Sequence, residues 1–109
     1  MALISNRGRM DMKEMTPQEV QAYLESNPEA SVIDVRETAE VRAGKIPQAV
    51  NIPLGLVEFR IQDFDKSKEH ILVCRSGKRS GMAGRFLEAR GYRIINMAGG
   101  MLEWDGPTV

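Results

Sequence analysis

Apolar positions along the chain fall into short runs that switch between two periods. "SVIDV" at 31–35, "AVNIP" at 49–53, "HILV" at 70–73 and "YRIINM" at 92–97 are brief and bounded by charged or turn-forming residues. Such runs predict buried strands. Between them the spacing becomes helical. "TPQEVQAYLESNP" sets Val20, Tyr23 and Leu24 on one face, with Thr16 as N-cap, Pro17 at the first helical position and Glu19 closing a capping box. "RETAEVRAG" predicts a helical turn or two ending near Gly44, and "LGLVEFRIQDF" a helix with Leu54, Val57 and Ile61 inward. From Ser80 to Arg90, Met82, Ala83, Phe86, Leu87 and Ala89 give a longer helical face that Gly91 stops. "AGGMLEWDG" reads as a glycine-rich turn into a short helix. Residues 1–10 carry no such pattern and read as a loosely held arm, leaving 11–109 as the domain. Strands alternating with helices argue for an α/β fold whose parallel sheet is covered on both faces. Ligands in such folds sit beyond the carboxyl ends of the strands.

Composition narrows the function more than the fold. The 109 residues make one domain, and 42% apolar content is enough for a core. Lys+Arg and Asp+Glu number 15 each, so nothing global points to nucleic acid or a membrane surface. The opening residues are too short for a signal-peptide core, and no apolar run approaches spanning length, so a cytoplasmic protein is expected. A single cysteine excludes an internal disulfide. The charge is uneven: between His70 and Arg93 lie Arg75, Lys78, Arg79, Arg85 and Arg90 against Glu88 alone. That half either draws small anions or is a solvated helix face.

The lone thiol, Cys74, sits where a strand ends in "CRSGKRS". A short loop with a flexible Gly77 then runs into a helix at about Arg79–Ser80. Amides in such a loop can converge into an anion nest backed by the helix N-terminus. Arg75, Lys78 and Arg79 supply cations, and Ser76 and Ser80 can donate hydrogen bonds. Helix N-termini and nearby cations lower a thiol pKa from about 8.5 into the range of roughly 3.5–7.5. This is the arrangement of an activated nucleophile that carries a small negative group. His70 lies four residues upstream at the other end of its strand, and with no second His or Cys no metal site is expected.

"CRSGKRS" resembles the active-site loop of the rhodanese family of sulfurtransferases, whose common form is C-R-x-G-x-R. "VIDVRETAEVRAGKIPQAVNIP" resembles the family's opening block, and "INMAGGMLEW" its closing block of paired glycines and a tryptophan. Lys45 and Gln48 stand where the family usually has His and Gly. The resemblance implies a single rhodanese-like α/β domain, with a mainly parallel five-stranded sheet and helices on both faces. It also implies that Cys74 attacks the sulfane sulfur of a donor such as thiosulfate and that Arg75, Ser76, Gly77, Lys78, Arg79 and Ser80 form the cradle. The product is a persulfide, with no metal or organic cofactor. The acceptor is cyanide or a thiol such as glutathione or a thioredoxin-like protein. Asp34, Arg36 and Glu40 either orient the loop or form a purely structural ion pair. Two other readings stand beside this one. A relay module would receive its sulfur from a partner protein, and a phosphatase or arsenate reductase would use a C-x5-R loop. The count disfavours the last: the residue six after Cys74 is Ser80, and the arginine comes one position earlier.

Overall fold

The computed structural model describes residues 12–109, and the arm expected at 1–10 lies outside them. Five strands form one parallel sheet: β1 (Lys13–Met15), β2 (Ser31–Asp34), β3 (Val50–Asn51), β4 (Glu69–Val73) and β5 (Arg93–Met97). Their order is β1-β5-β4-β2-β3, so β4 is central. The helices are α1 (Pro17–Ser26), α2 (Thr38–Arg42) and α3 (Lys78–Glu88).

The apolar runs work as two-sided strands because adjacent residues face opposite layers. Ile33, Leu72 and Ile94 join Ala83 and Leu87 of α3 in one buried cluster. Val32, Ile71 and Ile95 join Val20 and Leu24 of α1 in the other. Each such side chain taken fully from water contributes about 1.5–3 kcal/mol. α1 starts as its sequence predicts. The Thr16 hydroxyl accepts from the Glu19 amide at 3.1 Å, and the Glu19 carboxylate accepts from the Thr16 amide at 2.8 Å. At α3 the sheet comes close: a Cβ at Gly84 would lie 3.1 Å from Ile94 Cγ2.

Two expectations need correction, and one strand has no signal in the sequence. Residues 54–64 are two short 3₁₀ turns, Leu54–Leu56 and Ile61–Asp63, rather than a helix. Leu54, Val57, Ile61 and Phe64 do turn inward at helical spacing, but Gly55 lowers the propensity and Phe59 points to solvent, 73% exposed. Met82 lies on the solvent side of α3 and Ala89 is exposed just past its end; the buried residues of the helix are Ser80, Gly81, Ala83, Gly84 and Leu87. β1 follows no apolar run; it completes the sheet by pairing with β5. Among the described residues no helix is long and apolar enough to cross a membrane.

Candidate functional site

β4 delivers Cys74 to the middle of the carboxyl edge of the sheet. Strand alternation puts its side chain on the same face as Leu72, under α3, where it is wholly buried. The main chain then doubles back through residues 75–77 and enters α3 at Lys78, slightly earlier than expected. Gly77 makes that reversal with φ +98, a backbone region open to glycine at little cost.

The reversal aims amides at the sulfur. Gly77 N lies 3.0 Å from Cys74 Sγ, Ser80 N 3.3 Å, and the Ser80 hydroxyl 3.3 Å. The N-cap residue of α3 offers no side-chain cap. The sulfur takes that place, accepting from amides that have no partner within the helix. Burial by itself pushes the thiol pKa up. Hydrogen bonds from the Ser80 hydroxyl and amide, then from the Gly77 and Ser76 amides, outweigh it and hold the thiol below its ordinary value.

Hydrogen bonds therefore do most of what the sequence assigns to cations. Arg79 turns aside and grips Glu40 with two bonds, at 2.7 and 2.8 Å. That pair raises the Arg79 pKa, and the Cys74 charge adds a smaller push. Arg75 and Lys78 are exposed and form no ion pair among the described residues. Arg75 lines a cleft of about 310 Å³ with Arg36, Glu40, Ala43, Met101 and Leu102. Ser76 is exposed, and its amide makes the smallest of the contributions that lower the thiol pKa.

Glu40 does not pair with Arg36, contrary to the structural option read from sequence. Arg36 is committed to Asp34, which accepts from its Nε at 3.0 Å and from its Nη2 at 2.8 Å. Arg36 Nη2 also donates to the Gly44 carbonyl at 2.9 Å. Asp34 and Arg36 thus tie the end of β2 to the 44–49 turn and make no hydrogen bond to the cysteine loop. Glu40 reaches that loop through Arg79. Lys45, one of the two family departures, folds onto its own turn and donates to the carbonyls of Pro47 at 2.9 Å and Ala49 at 3.1 Å. Both His70 ring nitrogens are occupied, by Ser31 Oγ at 2.6 Å and the Asp65 carbonyl at 2.8 Å.

The paired glycines predict a tight turn beside the cysteine loop, and the turn is there: its Met101 and Leu102 amides donate to the carbonyls of Cys74 and Arg75 at 2.8 and 3.0 Å. One contributor escaped the sequence reading, Asn96 of β5, which bonds to Ser80 and to the Gly77 carbonyl. An amide side chain inside the otherwise apolar run "IINM" was the available signal.

The Arg79 bridge holds the Glu40 carboxyl at about 2, against an ordinary 4.5. A lowered carboxyl pKa gives stability that is complete above pH 4.5 and lost as pH falls through 2. Since roughly 30% of each side chain meets water, screening leaves this at about 1 kcal/mol. Glu40→Gln should therefore lower the urea midpoint at pH 6 and match the unaltered protein near pH 2. A constant difference across that range would deny the bridge its role.

A family model described as "Rhodanese-like domain" matches residues 16–106. Over 99 residues the chain is 39% identical to the "Putative sulfurtransferase YtwF" of Bacillus subtilis, covering 91% of this chain and 96% of that one. It is 33% identical to the "Putative sulfur carrier protein YrkF" of the same organism, covering 95% of this chain and 57% of that one. Among solved structures, a rhodanese-like domain protein from Staphylococcus aureus superposes with a TM-score of 0.82 at 33% identity, covering 85% of this chain and 91% of that one.

Proposed function

The chain belongs to the rhodanese-like domain family, whose relatives support sulfur transfer in general, and we propose that it moves a sulfane sulfur through a persulfide on Cys74. The donor is thiosulfate or a similar small anion. The acceptor is cyanide in an assay and a thiol in the cell, either glutathione or a thioredoxin-like protein. One observation carries the reading: a buried, lone cysteine whose sulfur accepts from the Gly77 amide and from the amide and hydroxyl of Ser80.

The Cys74 thiolate attacks the outer sulfur of thiosulfate. A carbon-bound S–S bond forms, the S–S bond of thiosulfate breaks, and sulfite leaves with the electron pair. The negative charge then rests on the outer sulfur of the persulfide. Cyanide or a thiolate attacks that sulfur and takes it away, and the electron pair of the broken bond returns to Cys74. No net oxidation occurs, and no cofactor is required. The exposed Arg75 and Lys78 attract the donor dianion by long-range charge. The relay reading keeps the same persulfide but takes its sulfur from a protein, and similarity to the "Putative sulfur carrier protein YrkF" favours it as the alternative.

A phosphatase-type site needs an arginine over the loop to clamp two oxygens of the oxyanion. Arg79 is spent on Glu40 instead. The decisive experiment is the intact mass of protein purified without reductant, before and after thiosulfate. We expect the gain of one sulfur atom, its removal by cyanide, and no hydrolysis of an aryl phosphate above that of Cys74→Ser. Sulfur gained only from a persulfide-bearing protein would favour the relay. Cys74-dependent phosphate release would overturn both.

A further inference from the structure

Asn96 is an asparagine in the interior of a parallel sheet, on a strand paired on both sides, with 4% of its surface exposed. Burying an amide there is costly unless all its hydrogen-bonding groups are used. They are used, and two of the three partners belong to the cysteine loop. Nδ2 donates to the Gly77 carbonyl at 3.2 Å and to Glu14 Oε2 at 3.3 Å. The Gly77 carbonyl can only accept, so Nδ2 must point to it and Oδ1 faces Ser80.

Ser80 is itself fully buried and has one hydroxyl proton. Two acceptors stand within reach of it: Asn96 Oδ1 at 2.5 Å and Cys74 Sγ at 3.3 Å. It can serve one at a time. A charged acceptor takes a hydrogen bond roughly twice as strong as a neutral one. When Cys74 is a thiolate the sulfur wins the proton. When the sulfur bonded to Cβ is neutral, as in a thiol or a persulfide, the amide oxygen wins it.

We propose that Asn96 is a positioning residue that competes with Cys74 for the Ser80 hydroxyl and so sets how tightly the loop holds charge on that sulfur. In the thiolate, Asn96 Oδ1 gives up its partner and the sulfur gains one. Once the charge has moved to the outer sulfur, the hydroxyl returns to Asn96. The side chain therefore favours the neutral state of the inner sulfur and eases the step in which charge leaves it. Its purpose rests on the persulfide cycle proposed above, but its operation rests on hydrogen bonds alone and can be read in a protein that transfers no sulfur.

Other charged groups around the thiol keep their contacts in the comparison, except Glu14, whose loss of the Asn96 bond is the same with and without the Ser80 hydroxyl and so cancels in the cycle. From α3 these are Arg79, held by Glu40 of α2, the exposed Lys78, and Arg85, which lines a cleft with Glu14, Gly77 and Asn96. From the loop there is Arg75, at the end of β2 the Asp34–Arg36 pair, and on β1 Glu14, which meets the site through Asn96. The test is the pH dependence of Cys74 alkylation by iodoacetamide in the intact protein, in a double-mutant cycle of Asn96→Ala and Ser80→Ala. Ser80→Ala should raise the midpoint, because the thiolate loses a donor. Asn96→Ala should lower it by about half a pH unit, roughly a threefold faster reaction at a fixed pH below the midpoint. In the Ser80→Ala background, Asn96→Ala should shift nothing. Asn96→Val, suited to a strand and lacking an acceptor, replaces the alanine variant if that one does not fold. A raised midpoint in either Asn96 variant, or a shift of equal size with and without the Ser80 hydroxyl, would reduce Asn96 to a spacer and overturn the proposal.

Discussion

Cys74→Ser is expected to lose sulfurtransfer to the level of the uncatalysed reaction while its thermal midpoint moves by no more than about 2 °C. The chemical half follows from the side chain: a serine hydroxyl is not ionised at neutral pH and forms no persulfide, and the sequence has no second cysteine. The structural half follows from the site. Sγ is an acceptor for the Gly77 and Ser80 amides, and a serine oxygen accepts from amides equally well. A cyanide assay and a melting curve on the same preparation check both halves. Residual turnover above background would remove Cys74 from the mechanism.

Gly100→Ala should be the most damaging single change outside the cysteine. Gly100 sits at φ +62, and a Cβ there would run into the carbonyl of Arg75 and come within 2.6 Å of the Cys74 carbonyl oxygen. These are main-chain atoms of the cysteine loop, so no side chain can swing aside. The chain must either unlatch the Met101 and Leu102 amides from that loop or strain both segments. We expect a stability loss above about 2 kcal/mol, or a folded protein whose loop is displaced. Misplacement by about an ångström is enough to cost on the order of a hundredfold in rate. Urea unfolding and the rate of persulfide formation distinguish the two. Wild-type values in both would mean that the two segments do not touch in solution.

Sequence pattern revealed β2, β4 and β5 because a strand buried on both faces is a continuous apolar run. It could not reveal β1: Lys13 and Glu14 are exposed, and the strand exists only because β5 offers it an edge. The 54–64 segment misled for the opposite reason. Its inward residues do keep a helical spacing, while tertiary packing bends the chain into two turns. In the site, the turn that brings the Gly77 and Ser80 amides to the Cys74 sulfur was legible because its parts are contiguous. The pairing of charges was not. Arg79 and Glu40 are 39 positions apart, and nothing in either neighbourhood tells Glu40 to choose Arg79 over the nearby Arg36. Asn96 shows a middle case. Its strand was read, but its role depends on facing Ser80 across the gap between strand and helix.

The sulfur that caps α3 also bears on how this site is kept over generations. A serine oxygen is expected to cap the helix about as well as the sulfur does, so replacing Cys74 with serine would leave natural selection little folding defect to act against. The proposed chemistry, more than the helix cap, would then defend the residue. A lineage that ceased to need sulfur transfer could drift at this one codon to an intact, inert domain still able to bind whatever the active form bound.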